Sequence, residues 1–212
     1  MVFDWDGTLA DTSARIVNAM HSAIHNLGLD VRSMDEIRNT IGLGLAEAVK
    51  SLFPGMGRQD HQALISGYRQ YYLQPSNGKT TLFPGVEETL HYLNDQGYLM
   101  AVATGKSRSG LDRALQETGF AEFFHASRCA DEACSKPHPQ MLLEIMDILN
   151  VKPEKTLMIG DSEYDLQMAN NAKVAGIAVS YGTQSMERLL QCRPLTCLNE
   201  LNELTDWLAR QK

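Results

Sequence analysis

Acidic side chains directly follow short apolar segments at two places in this chain. The segment MVF leads into Asp4 and Asp6, and the segment TLMIG leads into Asp161 and Asp165. Side chains two residues apart on an extended backbone point to the same side, and residues four apart on a helix lie about one turn apart. Clustered carboxylates are ligands that suit Mg²⁺, together with water and a substrate phosphate. These residue types therefore indicate binding of a hard divalent cation.

Grouping these acids in one crevice creates a charge problem. Two ionised carboxylates ~5 Å apart repel by about 3 kcal/mol at an effective dielectric constant of ~20. Several such pairs require a compensating cation. Mg²⁺ fits this requirement because it binds through one or two carboxylates and shares the site with substrate oxygens. A second, fixed positive charge is available from Lys136 in the segment CSKPHP.

The positions of these residues at strand ends predict that they meet. Asp4 follows MVF, Thr104 follows YLMAVA, and Asp161 follows TLMIG. In an open parallel sheet, ligands bind in the crevice beyond the carboxyl ends of the strands. We therefore expect Asp4, Thr104 and Asp161 to share one site, with Asp6 and Asp165 beside them.

The elements that must position this site alternate between helix and strand from Val86 onward. The apolar runs YLMAVA, TLMIG and GIAVS are bounded by glycine or polar residues and have the lengths of buried strands. Helical periodicity separates these runs. We predict an α/β fold, with a Rossmann-like parallel sheet core covered by helices on both faces and a small inserted α-helical cap domain.

The insertion falls between the first and second predicted strands. Apolar residues there recur at helical spacing, as in Ile16, Met20, Ala23 and Leu27, and no convincing strand is present. The segment QPSNGKTTLFPG then marks a loop or hinge. We predict a core formed by residues 1–12 and 80–212 and a cap formed by residues 13–79. Asp11, Thr12 and Ser13 are each available as the N-cap of the first cap helix, and we predict that Asp11 takes this role.

Four segments, taken together, resemble the motifs of the haloacid dehalogenase superfamily. DWDGTLAD resembles the first motif, Thr104 in VATGKS the second, Lys136 the third and GDSEYD the fourth. Their order and the helical insertion between the first two also match, so that the resemblance extends over the whole chain. Among subfamilies, the small helical cap and the stretches DWDGTLADT and IGLG are most similar to phosphoglycolate phosphatases.

The resemblance implies a role for each residue in phosphoryl transfer. Asp4 would attack phosphorus and form an aspartyl-phosphate, and Asp6 would act first as general acid and then as general base. Thr104, the amide of Gly105 and Lys136 would hold the phosphoryl group. An acid at position 6 distinguishes phosphatases from the dehalogenases of the superfamily, which lack it.

The resemblance also implies the cofactor and the substrate class. Asp161 and Asp165 would anchor Mg²⁺, and Asp4 together with the backbone carbonyl of Asp6 would complete the metal site. We expect a Mg²⁺-dependent phosphatase acting on a small phosphorylated metabolite, such as a phosphoglycolate-like acid or a sugar phosphate. A β-phosphoglucomutase-like mutase and a pyrophosphatase remain open on the same core, as does a non-catalytic phosphate-binding protein.

Two glycine-containing segments invite other interpretations. GKS at 105–107 lacks the upstream glycine of a P-loop, where the chain has Met100. IGLGLAEA lacks the third glycine of a dinucleotide fingerprint, and we predict instead a cap loop whose backbone approaches the substrate. Tyr68, Tyr71 and Tyr72 are predicted to belong to the cap core rather than to a stacking platform.

Composition excludes several classes of partner. The chain has 19 basic and 26 acidic residues and a net charge of −7, with the basic residues scattered, so nucleic acid is not an expected partner. No apolar run approaches the roughly 18 residues of a membrane span.

No signal-like segment precedes Asp4, and we expect a cytoplasmic protein. The four cysteines, in two C-x4-C pairs, do not match common zinc sites and are expected to be reduced.

Overall fold

Six parallel strands form one sheet in the computed structural model, which describes residues 1–74 and 79–211. Their order across the sheet is β3-β2-β1-β4-β5-β6. The strands are β1 Val2–Phe3, β2 Ala101–Thr104, β3 Ala126–Cys129, β4 Leu157–Gly160, β5 Ala175–Val179 and β6 Cys197–Leu198. The predicted α/β Rossmann-like fold is confirmed, and β1 lies at its centre between β2 and β4.

Helices connect these strands and cover the sheet. Five helices lie between β1 and β2 within the described residues: α1 Ser13–Asn26, α2 Met34–Arg38, α3 Leu45–Leu52, α4 Arg58–Tyr72 and α5 Val86–Asp95. The helices after β2 are α6 Arg108–Thr118, α7 Gln140–Leu149, α8 Glu163–Asn171, α9 Met186–Gln191 and α10 Glu203–Ala209. None of the described helices is long and apolar enough to cross a bilayer.

Alternate residues of the central strands supply the two faces of the sheet, because successive strand side chains point in opposite directions. Phe3 and Ile159 pack with apolar residues of α5, α6 and α10 on one face. Val2 and Met158 pack with apolar residues of α7 and α8 on the other. The predicted covering of both faces by helices is therefore confirmed.

The helices α1 to α4 have an apolar cluster of their own. Its buried members come from all four helices and include Val17, Met20, Ile24, Ile37, Val49, Leu52 and Leu64. The chain returns from these helices along the segment that left the sheet, since Thr81 accepts from the Asp11 amide at 2.8 Å and Leu9 accepts from the Phe83 amide at 3.0 Å. Residues 75–78 of the predicted loop QPSNGKTTLFPG lie outside the described residues.

The start of α1 differs from the prediction. The helix begins at Ser13, and Thr12, not Asp11, holds the N-cap position. Asp11 is exposed, and Thr12 makes no side-chain cap bond because its hydroxyl donates to the carboxylate of Asp6 instead. The predicted role of Asp11 as N-cap is therefore wrong, and its neighbour Thr12 contacts a predicted site residue.

Candidate active site

Three adjacent strands bring the predicted site residues together at their carboxyl ends. Asp4 follows β1, Thr104 ends β2, and Asp161 follows β4. The Asp4 amide donates to the Ile159 carbonyl at 2.9 Å, which extends the pairing of β1 and β4 up to the site. Asp4, Thr104 and Asp161 therefore lie at one edge of the sheet, as expected from their positions at strand ends. All three side chains are buried.

A cluster of three buried carboxylates lies at this edge. Oxygen atoms of Asp4, Asp161 and Asp165 all lie within 4.8 Å of one another. Asp165 reaches the cluster from the first turn of α8, where its Oδ2 also accepts from the amide and hydroxyl of Ser162 in a capping box. The helix start therefore fixes the orientation of this carboxylate.

Lys136 supplies a positive charge inside the cluster. Its ammonium nitrogen lies 2.7 Å from Asp4 Oδ1 and 2.6 Å from Asp165 Oδ1, and its side chain is fully buried. Burial alone would lower the pKa of Lys136, but the carboxylates of Asp165 and Asp4 outweigh that effect and raise it. Lys136 therefore remains a cation, as the sequence predicts.

Asp161 is held by residues that sequence reasoning did not identify. Thr8 donates its hydroxyl to Oδ1 at 2.8 Å, and Thr183 donates its amide at 2.8 Å and its hydroxyl at 2.6 Å to Oδ2. Gly7 packs against the same carboxylate: its φ is +87°, and a Cβ there would lie 2.2 Å from Asp161 Oδ2. Only glycine fits this contact.

The cluster fits a divalent cation. Three carboxylates and one ammonium group leave an excess of two negative charges when all are ionised. Asp4 Oδ2 is buried and has no hydrogen-bond donor among the described residues. Burial, only partly offset by Lys136, raises the pKa of Asp4, and burial together with Asp165 raises the pKa of Asp161 to about 6. An oxygen-binding divalent ion would relieve both the repulsion and the unpaired oxygen.

Asp6 faces the same cavity as Asp4 but lies outside the carboxylate cluster. Its Oδ1 accepts from the Thr12 hydroxyl at 2.5 Å and lies 2.9 Å from the ammonium of Lys106. These two contacts hold the Asp6 side chain apart from the three clustered carboxylates, although Asp6 lies in the same crevice. Asp6 could contribute to the cluster through its backbone carbonyl only, which is the role the resemblance implies.

Lys106 was not singled out from the sequence. Burial alone would lower its pKa, but the Asp6 carboxylate, followed by the neighbouring Tyr72 and Tyr68, raises it. The GKS segment that fails as a P-loop thus places a cation against Asp6. Thr104, at the end of β2, lies beside Lys106. It is buried, and its hydroxyl accepts from the Lys106 amide at 3.2 Å.

A cavity of about 800 Å³ lies between the sheet edge and the helices α1 to α4. Asp4, Asp6, Gly105 and Lys106 line it from the sheet side, and its opposite wall is largely apolar, with Ile16, Met20, Ile37, Ile41, Leu43, Tyr68 and Tyr72. Tyr68 and Tyr71 pack against the apolar cluster of α1 to α4, as predicted from the sequence, and Tyr68 and Tyr72 also line the cavity.

The predicted loop IGLG approaches the backbone that follows β2. A Cβ on Gly105 would lie 2.3 Å from the Leu43 carbonyl oxygen, so the two backbones touch. The Gly44 amide donates to Ser135 Oγ at 2.8 Å, next to Lys136. Further along the rim, Tyr164 donates its hydroxyl to the Asn39 carbonyl at 3.1 Å. These contacts close the helical segment onto the sheet edge.

Comparison with known proteins agrees with this geometry. The family model described as haloacid dehalogenase-like hydrolase matches residues 1–179. "Probable phosphatase IndB" of Dickeya dadantii is 34% identical, over 96% of this chain and 90% of that protein. A phosphoglycolate phosphatase of Psychrobacter arcticus is 27% identical, over 99% of this chain and 95% of that protein.

A solved structure extends the likeness to the whole fold. The protein from Bacteroides fragilis, described as a haloacid dehalogenase-like hydrolase, superposes with a TM-score of 0.88 at 28% identity, covering 96% of this chain and 97% of that one. The predicted resemblance and enzyme class are confirmed, since relatives carry phosphatase names. With the family match spanning the sheet edge and the helices over it, the chain belongs to the haloacid dehalogenase-like hydrolases.

Proposed function

We propose that this chain is a Mg²⁺-dependent phosphatase that hydrolyses a small phosphomonoester through an aspartyl-phosphate on Asp4. The observation that carries the proposal is the environment of Asp4. Its Oδ2 is buried without a donor, its Oδ1 contacts Lys136, and the residue lines a cavity of about 800 Å³ together with Asp6. A carboxylate with one oxygen kept free of donors in this way suits a nucleophile or a metal ligand.

In the first step, an Asp4 carboxylate oxygen forms a bond to phosphorus while the bond from phosphorus to the ester oxygen breaks. Asp6, protonated at this stage, gives its proton to the departing alkoxide. Lys136 offsets the charge that gathers around the phosphoryl oxygens, and Thr104 with the Gly105 amide holds one of those oxygens. The products of this step are a free alcohol and a phosphorylated Asp4.

In the second step, water attacks the phosphorus of the aspartyl-phosphate. Asp6, now ionised, accepts a proton from this water, the bond from phosphorus to Asp4 breaks, and inorganic phosphate leaves. The two protonation states of Asp6 therefore alternate between the steps. The Thr12 hydroxyl and the Lys106 ammonium hold its Oδ1 at 2.5 and 2.9 Å and keep the side chain in one place.

Asp4, Asp161, Asp165 and the Asp6 carbonyl would hold the metal ion. When bound, Mg²⁺ would supply positive charge that stabilises the phosphoryl oxygens in the transition state. Thr8 and Thr183 orient Asp161, and Ser162 orients Asp165, so these carboxylates are positioned before the ion arrives.

Residues 13–79 would act as a cap that closes over the cavity and limits the entry of bulk water. The separate apolar cluster of α1 to α4 supports this division, because these helices pack chiefly on one another. The contacts of Asn39 with Tyr164 and with the Arg188 guanidinium, the latter at 2.8 Å, would hold the closed position.

Phosphate release from a panel of substrates tests the proposal. The panel contains phosphoglycolate, hexose phosphates, nucleotides and pyrophosphate, each with Mg²⁺ and with EDTA. We expect metal-dependent phosphate release from one phosphomonoester at a rate well above that from the other substrates. Preferential release from pyrophosphate would assign a pyrophosphatase. Conversion of one sugar phosphate into its isomer without release would assign a mutase, and both results contradict the proposed phosphatase.

Mg²⁺ is expected to stabilise the fold through the carboxylate cluster. At a concentration of ~100 times its Kd, an ion that binds only the folded state adds about 2.7 kcal/mol, which corresponds to roughly 5–10 °C in the unfolding temperature. Asp161→Asn removes one negative ligand and should abolish most of this increase in Tm. The measurement is thermal unfolding with and without Mg²⁺.

The matched control for this measurement is Asp147→Asn, because Asp147 is an exposed acid on α7, away from the cluster. This variant should show the same Mg²⁺-induced increase in Tm as the wild type. Equal increases in Asp161→Asn and Asp147→Asn would contradict the proposed metal site.

Thr12 is expected to affect turnover through Asp6. Thr12→Val keeps the side-chain shape but removes the hydroxyl that donates to Asp6 Oδ1 at 2.5 Å. A hydrogen bond to a charged group contributes about 1.5–3 kcal/mol, so kcat/KM should fall about ten- to hundredfold. Thr12→Ser retains the donor and should recover most of the activity. Wild-type kcat/KM in Thr12→Val would rule out this role.

A further inference from the structure

One cation of the cavity binds no phosphoryl oxygen and transfers no proton in the steps above. The Lys106 side chain is 9% exposed and belongs to the loop after β2, in the GKS segment that matches no phosphate loop. Its position in the cavity wall places it between Asp6 and the end of α4. Lys136 already supplies the cation of the carboxylate cluster, so Lys106 serves another purpose.

The ammonium group of Lys106 contacts Asp6 on one side and α4 on the other. Its ammonium nitrogen lies 2.9 Å from Asp6 Oδ1 and donates to the Tyr72 hydroxyl at 3.0 Å. It also lies 5.0 Å from the centre of the Tyr72 ring. A buried ammonium group is costly unless it is paired, and these partners supply the compensation.

Tyr72 is itself fixed by a residue of α1. The Arg15 guanidinium lies 4.2 Å from the centre of the Tyr72 ring and donates to the Tyr72 carbonyl oxygen at 3.1 and 2.8 Å. Arg15 of α1 therefore contacts Tyr72 of α4, the Tyr72 hydroxyl accepts from Lys106, and the Lys106 ammonium pairs with Asp6. This chain of contacts links the placement of the helices to the placement of one carboxylate.

Both contacts to Asp6 use the same oxygen. The Thr12 hydroxyl and the Lys106 ammonium meet at Oδ1, and no contact to Oδ2 is found among the described residues. Two donors on one oxygen fix the rotation of the carboxylate about its own axis. Oδ2 is left as the oxygen that can carry a transferable proton.

We propose that Lys106 is a positioning residue that, with Thr12, holds Asp6 by Oδ1 so that Oδ2 exchanges protons with the ester oxygen. The inference rests on the proposed phosphatase function. In the first step, the proton on Asp6 Oδ2 passes to the leaving oxygen as its bond to phosphorus breaks and the bond from phosphorus to Asp4 forms. Lys106 itself transfers no proton.

Leaving-group dependence provides the test, because an aryl oxide departs without a proton and an alkoxide requires one. The substrates are p-nitrophenyl phosphate and glycerol phosphate, whose leaving groups are both uncharged. Lys106→Met keeps the apolar stem and removes the ammonium group. We expect kcat/KM for glycerol phosphate to fall about tenfold or more beyond any fall for p-nitrophenyl phosphate. Lys106→Arg should restore much of the difference.

Two further variants make the result specific. Arg113→Met removes another cation of the cavity wall, one that pairs with Glu117 at 2.7 Å and has no contact with Asp6, and the ratio of the two kcat/KM values should stay near that of the wild type. Tyr72→Phe removes only the hydroxyl that accepts from Lys106. It should change the ratio in the same direction as Lys106→Met, and it serves if Lys106→Met does not fold.

Several outcomes would overturn the inference. An equal loss with both esters would mean that Lys106 does not act through proton transfer. A rise in KM confined to phosphoglycolate, included as a third substrate, would mean that Lys106 binds the carboxylate of a substrate. If the wild-type protein released phosphate from none of the three, the proposed phosphatase function would fail first, and this inference with it.

Discussion

Replacing Asp4 with asparagine is expected to abolish turnover while leaving the protein folded. An amide is a poor nucleophile, and loss of a covalent catalyst costs roughly 10⁴-fold or more in kcat. The fold should not suffer, because burial raises the pKa of Asp4 and its Oδ2 has no donor among the described residues, so the ionised carboxylate is a net cost at neutral pH. In metal-free buffer we expect a Tm equal to or above that of the wild type.

The matched control is Asp11→Asn, the same chemical change at an exposed residue of the same segment. Kinetics of phosphate release and thermal unfolding, measured on both variants, separate chemistry from stability. Asp11→Asn should retain wild-type kcat. Turnover in Asp4→Asn close to that of Asp11→Asn would remove Asp4 from the mechanism, and an unfolded Asp4→Asn would contradict the predicted stability.

Replacing Lys136 with methionine is expected to cost both activity and stability. Its ammonium lies 2.7 Å from Asp4 and 2.6 Å from Asp165, and without it three buried carboxylates face one another uncompensated. Removing one partner of a buried ion pair typically costs about 3–5 kcal/mol in the free energy of unfolding. Phosphate release should also fall sharply, because no fixed cation would then oppose the phosphoryl charge.

The destabilisation of Lys136→Met should depend on pH in a defined direction. The folded-state pKa of Asp161 is already raised to about 6, and losing a nearby cation would raise carboxyl pKa values further. When the folded-state pKa of a carboxyl group is raised, the ionised group destabilises the folded state at pH values above that pKa. This destabilisation disappears as the group is protonated at lower pH. Urea unfolding in metal-free buffer should therefore show a larger loss at pH ~7.5 than at pH ~5.

The control for this experiment is Lys155→Met, which removes the charge of an exposed lysine before β4. Its free energy of unfolding should match that of the wild type at both pH values. A Lys136→Met protein as stable as Lys155→Met at neutral pH would contradict the proposed charge balance of the cluster.

The residues at strand ends could be predicted because the topology determines where they go. Asp4, Thr104 and Asp161 each follow an apolar run, and parallel strands align their carboxyl ends at one edge. Lys136 was predicted to supply a second, fixed positive charge beside a divalent ion, and its ammonium group lies between Asp4 and Asp165. The strand-end residues can be predicted from short apolar runs followed by polar residues, together with the rule that parallel strands align their carboxyl ends.

The contacts that could not be predicted depend on how distant loops fold back. Thr183 reaches Asp161 across 22 residues of sequence, and Tyr72 reaches Lys106 across 34. No local spacing marks either pair. The error at Asp11 has a related cause, since the Thr12 hydroxyl could cap the helix or bind Asp6, and only the folded site decides between these uses.

Rapid acid quench with a phosphate-labelled substrate shows whether Asp4 carries the phosphoryl group during turnover. Label should appear on the wild-type protein, map by mass spectrometry to the peptide containing Asp4, and be absent from Asp4→Asn. Asp6→Asn should accumulate more label from an aryl phosphate than the wild type, because hydrolysis of the intermediate lacks its base. Phosphate released with no label ever bound to Asp4 would mean that Asp4 is not the nucleophile.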